Sequence, residues 1–224
     1  FDVIRLPENQ GLGNALRLAV ENCKNELIAR MDSDDVSLPT RFEEQLTFFK
    51  RSPDTDIVGG DISEFIDQES NVVGLRCVPT THDEIKEYMK YRCALNHVSV
   101  MYKKTAVQNA GGYLDLFWNE DYYLWIRMCE QNCKMANTGT VLVNVRTGKD
   151  MYKRRGGKKY YKSEKFLQKY MLERKMIGRA TYMQNILKRW ILQRCLPSRL
   201  RGVLFRKLAR KSAVPKDPQP SKHS

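Results

Sequence analysis

Only three histidines occur among 224 residues, and none of the six cysteines (positions 23, 77, 93, 129, 133 and 195) forms a Cys-x-x-Cys pair. A structural zinc site of the usual spacing is thereby excluded. Cys129 and Cys133 stand four apart on an expected helix, a core-like spacing, so the thiols read as reduced and buried in a cytosolic protein. No apolar run approaches the roughly 18 residues of a membrane span. No signal peptide, targeting tail or internal repeat is apparent. Methionine is missing from position 1. The chain opens on Phe1 and a strand-like stretch with Val3, Ile4 and Leu6, so the expectation is a chain cut at its N-terminus.

Hydrophobic residues make up 42% of the chain, which suits a folded core and excludes wholesale disorder. The net charge of +13 is unevenly spread. Residues 1–149 hold 17 Lys+Arg against 22 Asp+Glu, whereas residues 150–211 hold 20 against three. A near-neutral domain thus carries a strongly basic extension, which points to an anionic partner for the tail: membrane, nucleic acid or phosphorylated lipid. The expected division is a domain at 1–148, a basic loop and helical extension at 149–211, and a disordered tail at 212–224.

The local pattern alternates helix and strand. Asn14 follows the turn Asn9-Gln10-Gly11 and is expected to cap a helix with Leu16, Ala19, Val20 and Cys23 on its apolar face. Residues 26–31 read as a buried strand ending at Asp32. Pro39 is expected in the first turn of the next helix, whose buried stripe would be Phe42, Leu46 and Phe49. Strands are expected near 56–67, 72–78 and 140–145. A short helix is expected near 83–91, and a longer one at 120–130 burying Leu124, Trp125, Met128 and Cys129. Val98, Val100 and Tyr102 alternate with Ser99 and Met101 as in a half-buried strand. Two further helices are expected near 163–176 and 180–194.

Asp32-Ser33-Asp34-Asp35 is the segment richest in chemistry. Two carboxylates one residue apart, at the end of a strand, can converge on one hard cation. Mg²⁺ and Mn²⁺ leave coordination positions for substrate phosphates, which suits departure of a nucleoside diphosphate. From the spacing alone, a polar turn with capping aspartates is the plainer reading. A calcium loop does not, since the acidic ligands do not continue in the required pattern.

The order of motifs resembles bacterial family 2 inverting glycosyltransferases, which have the GT-A fold. The residues that carry the likeness are Asn9-Gln10-Gly11, Asp32-Ser33-Asp34-Asp35 and Pro39-Thr40-Arg41-Phe42-Glu43-Glu44-Gln45. They continue in Gly111-Gly112-Tyr113 and Asn119-Glu120-Asp121-Tyr122-Tyr123-Leu124-Trp125. The implied fold is α/β: a GT-A-like, Rossmann-related mixed sheet flanked by helices. It lacks its first strands and carries a basic helical C-terminal extension.

The resemblance implies that Asp32 and Asp34 hold Mn²⁺ or Mg²⁺ and reach the diphosphate, with Asn9, Gly11 and Arg30 on the donor side. Asp121 would be the general base, with Glu120 the second candidate; helix capping is the plain alternative. His97 would face acceptor or donor, or else be a hydrogen-bonded residue at a strand end. Trp118 is the more open candidate for stacking on sugar, whereas Trp125 falls on a buried helical face. One departure stands out: the family's opening strands, which hold uracil and ribose, have no counterpart here. The missing part would be on the order of 50–60 residues.

Arg154-Arg155-Gly156-Gly157 suits a loop that closes over the donor diphosphate or grips a lipid pyrophosphate, or else a solvated loop. The segments with Ile186, Leu187, Trp190, Ile191 and Leu192, and with Leu200, Val203, Leu204 and Leu208, are basic and amphipathic. They fit an anionic bilayer surface, or else packing on the domain. The implied function is transfer of a hexose from a nucleotide-diphosphate sugar, UDP-linked, with inversion. The acceptor would be a polyprenyl-diphosphate-linked saccharide in capsule, exopolysaccharide or O-antigen synthesis. The implied location is cytoplasmic, peripheral on the inner face of the cytoplasmic membrane. An inactive truncated remnant and a nucleotidyltransferase are the alternatives. So is a nucleic-acid-binding protein, which is disfavoured because no RNA- or DNA-binding motif accompanies the basic tail.

Overall fold

The computed structural model describes residues 2–148 and 157–195; Arg154, Arg155 and the basic stretch from 196 onward lie outside the described residues. Among the described residues, six strands form one mixed sheet: β1 (Leu27–Ala29), β2 (Val36–Ser37), β3 (Ile57–Phe65), β4 (Val72–Arg76), β5 (Met101–Lys103) and β6 (Met135–Arg146). The order is β1-β5-β3-β6-β2, and β4 pairs with β3 off this path. Only β3 and β6 run parallel; the other pairings are antiparallel. All nine residues of β3 are buried, which makes it the central strand. Gly60 lets β6 come close: a Cβ there would lie 2.5 Å from Leu142 Cδ1.

The helices are α1 (Leu12–Asn22), α2 (Arg41–Arg51), α3 (His82–Met89), α4 (Lys104–Asn109) and α5 (Glu120–Glu130), followed by α6 (Gly157–Glu173) and α7 (Arg179–Trp190). The α5 helix lies at the expected position and contributes the fully buried Leu124, Trp125, Ile126 and Met128 to the main core. Leu167 and Met171 of α6 join the same cluster. A reciprocal cap between Thr81 and Glu84 starts α3. Cys129 and Cys133 are buried thiols.

Several sequence expectations are corrected. Residues 2–11 form no strand, and Val3 is 77% exposed. Gly11, not Asn14, precedes α1; Asn14 lies inside the first turn and donates to Gln10 O. The strand expected at 26–31 is only Leu27–Ala29 and is not buried, because β1 pairs with β5 alone. Residues 97–99 form a 3₁₀ turn rather than strand, and Val100, Met101 and Tyr102 are buried in succession without alternation.

The largest correction concerns α2. Its buried residues are Arg41, Gln45 and Phe49, while Phe42 is 51% and Leu46 40% exposed. The polar side chains point inward because the neighbouring backbone offers carbonyls there. Arg41 donates to Arg30 O (2.7 Å), Val100 O (3.3 Å), Ser37 Oγ (2.9 Å) and Gln45 Oε1 (3.2 Å). Gln45 Nε2 donates to Val58 O (2.7 Å) and Ser99 O (2.9 Å). Buried carbonyls need donors, and that demand outweighs the apolar periodicity of the helix.

Candidate active site

The acidic turn leaves the sheet just past β1. Arg30 N donates to Val100 O, and Arg41 caps Arg30 O from the other side. The chain then turns through Asp32–Asp35 and returns as β2 against β6. Asp35 Oδ1 accepts from Arg146 N at 3.0 Å, and Arg146 Nε reaches Asp34 O at 3.3 Å. Arg41, Ser37 and Arg146 thus clamp both ends of the turn, leaving Asp34 at the surface and Asp32 half-buried.

Charge is concentrated here. Arg30 Nη2 pairs with Asp32 Oδ1 at 2.5 Å, while Arg30 Nε and Nη1 are enclosed without a hydrogen-bond partner. Burial pushes the Asp35 carboxyl up to about 6, opposed by the Arg146 amide and reinforced by Asp32 and Asp34; its Oδ2 is unpartnered. Among the described residues, no three carboxylate, imidazole or thiolate groups converge to hold a metal by protein ligands alone. Mg²⁺ or Mn²⁺ bound through one or two carboxylates and substrate phosphates needs no such cluster. The residues present therefore fit a cation that arrives with a diphosphate.

Gly111 and Gly112, at φ 84° and 66°, turn the chain into Tyr113. Arg127 of α5 holds that turn by donating to Ala110 O and, at 2.7 Å, to Gly112 O. Tyr113 Oη then meets His97 Nε2 at 2.9 Å. Both rings pack edge-on against the buried Trp125. Burial, and then the nearby Arg30 charge, hold the His97 imidazole well below its ordinary value, so it is neutral at pH 7. Burial raises the Tyr113 hydroxyl, an effect that Arg30 opposes and Asp121 reinforces.

Asn119 precedes α5 and donates to Ser163 Oγ of α6 at 2.9 Å. Glu120 is buried, and desolvation followed by the Asp121 and Asp115 charges pushes its carboxyl up to about 7. Asp121 is half-buried, and its Oδ1 accepts from Tyr122 N at 2.7 Å. The Asn9–Gly11 turn lies beside Asp115: Asn9 Oδ1 accepts from Gly11 N at 3.0 Å, and a Cβ on Gly11 would sit 2.8 Å from Asp115 Oδ1. Trp118 is 46% exposed at φ 57°, edge-on to Phe117.

Arg30 and Asp32 are thus brought together, and His97 is joined to Tyr113. Asn9 and Gly11 belong to the Asp115–Glu120 side, and Trp118 stands at the rim. Sequence reasoning named Tyr113, Arg41 and Gln45 within motifs but assigned them no role. Arg41 and Gln45 were visible as polar residues four apart inside an apolar helix pattern.

The chain is similar to known proteins in both sequence and fold. The model of glycosyl transferase family 2 matches residues 1–110. An uncharacterized glycosyltransferase of Haemophilus influenzae is 43% identical over 162 residues, which is 72% of this chain and 60% of that protein. The UDP-Gal:alpha-D-GlcNAc-diphosphoundecaprenol beta-1,3-galactosyltransferase of Escherichia coli is 34% identical over 206 residues, 92% of this chain and 74% of that protein. The chain thus spans about 60% to three quarters of the length of these relatives. Among solved structures, a Pyrobaculum calidifontis mannosyltransferase in complex with GDP-Man and Mn²⁺ superposes with TM-score 0.51 at 10% identity. It covers 91% of this chain and 56% of that one, and it supports the mixed-sheet GT-A fold. With motifs, fold and relatives in agreement, the chain belongs to glycosyl transferase family 2.

Proposed function

We propose that the protein transfers a hexose from a UDP-linked sugar, with inversion, to a saccharide carried on a polyprenyl diphosphate at the cytoplasmic face of the membrane. The observation that carries this reading is the clamped acidic turn, with Asp32 held by Arg30 and Asp35 by the Arg146 amide. Asp32 and Asp34 would hold Mn²⁺ or Mg²⁺. The cation supplies charge that offsets the negative charge growing on the departing diphosphate. Arg30, paired with Asp32, adds positive charge on the donor side of the turn.

Asp121 is the base. Its carboxylate takes the proton of the acceptor hydroxyl as that oxygen attacks the anomeric carbon. The bond from that carbon to the phosphate oxygen breaks with its electron pair on the diphosphate. The N-terminus of α5 favours the ionised carboxylate before transfer. Glu120, held near 7, is the second candidate. Asn9 and Gly11, which lie beside Asp115, are candidates for the donor site, as are Arg154 and Arg155, which fall outside the described residues. Trp118 is open to stack on the acceptor, and His97 with Tyr113 forms a neutral wall between donor and acceptor. The Escherichia coli relative takes its name from UDP-Gal and alpha-D-GlcNAc-diphosphoundecaprenol, which supports a UDP-linked donor and a lipid-linked acceptor.

The test is release of nucleotide from a panel of UDP- and GDP-sugars with Mn²⁺ and a lipid-linked acceptor. Release of UDP that falls at least about a hundredfold in both Asp34→Ala and Asp121→Asn is expected. Release that persists in Asp34→Ala would remove the metal assignment.

A further inference from the structure

Helix α7 is docked with its polar face inward. Asn185 is 2% exposed and donates to Lys90 O (2.9 Å) and Gln168 Oε1 (2.8 Å). Arg189 pairs with Glu164 and donates to Tyr91 O at 2.8 Å. The apolar residues face the other way: Met183 is 65%, Leu187 57%, Trp190 48% and Ile191 43% exposed. Positions 183, 187, 190 and 191 fall on one helical stripe. Ile186 and Leu192, which read from the sequence as part of the same apolar set, are half-buried instead. A helix that packs on its own domain ordinarily buries its apolar stripe, so this inverted arrangement leaves a surface suited to an apolar medium.

The surroundings identify that medium. Residues 157–193 contain ten Lys/Arg and two Glu. One of the two acids, Glu164, is consumed by Arg189. Arg179 and Lys188 on α7, and Lys162, Lys165 and Lys169 on α6, are exposed. A second copy of this chain would bring like charge against like charge. Residues 196–211 are no better suited, since they carry Arg199, Arg201, Arg206, Lys207, Arg210 and Lys211 without an acid. Among the described residues, no helix is long and apolar enough to cross a membrane.

We infer that the stripe Met183, Leu187, Trp190 and Ile191 is the contact by which the protein lies on a bilayer rich in anionic lipid. The side chains enter the interface while the lysines and arginines around them meet lipid phosphates. This deepens the membrane location proposed above by naming the face that makes contact, and it rests on that reading only for the choice of membrane.

Vesicle flotation tests it without donor or acceptor, so its outcome is separate from that of the transfer assay. The full chain is expected to float with phosphatidylglycerol-rich vesicles, weakly with pure phosphatidylcholine, and less at high salt. Leu187→Glu combined with Trp190→Glu should lower the partition by about tenfold or more. The melting temperature should hold, because both side chains are exposed. Emission of Trp190, read as the difference from Trp190→Phe, should shift to the blue on vesicle addition. Three results would each overturn the inference: no flotation with anionic vesicles, flotation unchanged in the double variant, or a dimer that the double variant breaks while vesicles leave Trp190 unaffected. The last would assign the stripe to a second copy.

Discussion

Gln45 is the sharpest place to test what organises the acidic turn. It is completely buried in α2, with Nε2 on Val58 O and Ser99 O and Oε1 accepting from Arg41 Nε. Gln45→Leu keeps an apolar residue of similar size but removes two donors and one acceptor. Each buried group left unmet costs about 1–3 kcal/mol, partly offset by the apolar gain of leucine, so the net loss should be about 3 kcal/mol. Leu46, its neighbour, is 40% exposed, and Leu46→Ser should cost less than about 1 kcal/mol. Helical periodicity taken alone would assign the larger loss to Leu46. Urea unfolding followed by tryptophan fluorescence gives both values. If Leu46→Ser costs more than Gln45→Leu, the inward-facing role of Arg41 and Gln45 is wrong. A loss in Gln45→Leu that appears in the slope rather than the midpoint would mean a changed denatured state instead.

Three other outcomes are expected. The Glu120 carboxyl is raised to about 7 from 4.5, so between those values the folded chain holds a proton that the unfolded chain releases; stability should fall as pH rises through that window. Glu120→Gln should flatten the upper part of the profile by roughly 1–2 kcal/mol after allowance for solvent, whereas the lower part, from 3.8 to about 6, belongs to Asp35 and should remain; an unchanged urea-midpoint profile from pH ~5 to ~8 would refute the Glu120 assignment. A Cβ on Gly13 would lie 2.8 Å from Asp115 Cα, so Gly13→Ala should destabilise by about 1–2 kcal/mol despite the better helix propensity of alanine, and a higher melting temperature would contradict this. Glu164→Ala leaves the half-buried Arg189 guanidinium without its carboxylate and should cost about 3 kcal/mol in urea unfolding, more than Glu173→Ala in the exposed pair with Lys169.

Local signals determined much of this protein. The helix at 120–130, its buried Trp125, the exposed Trp118, the acidic turn and the change in charge near residue 150 were all legible from residue types and spacing. Their reach ended where a residue's role depends on a distant strand. Phe42 and Leu46 look like core, and Arg41 and Gln45 like surface, until the sheet presents Arg30, Val58, Ser99 and Val100 carbonyls that have to be met. Likewise, the apolar residues of α7 look ready to pack until Asn185 and Arg189 take the inward positions. In each case tertiary structure decided the matter for one reason: an unmet buried polar group costs as much as a buried apolar side chain gains, and only the fold determines where the polar groups lie.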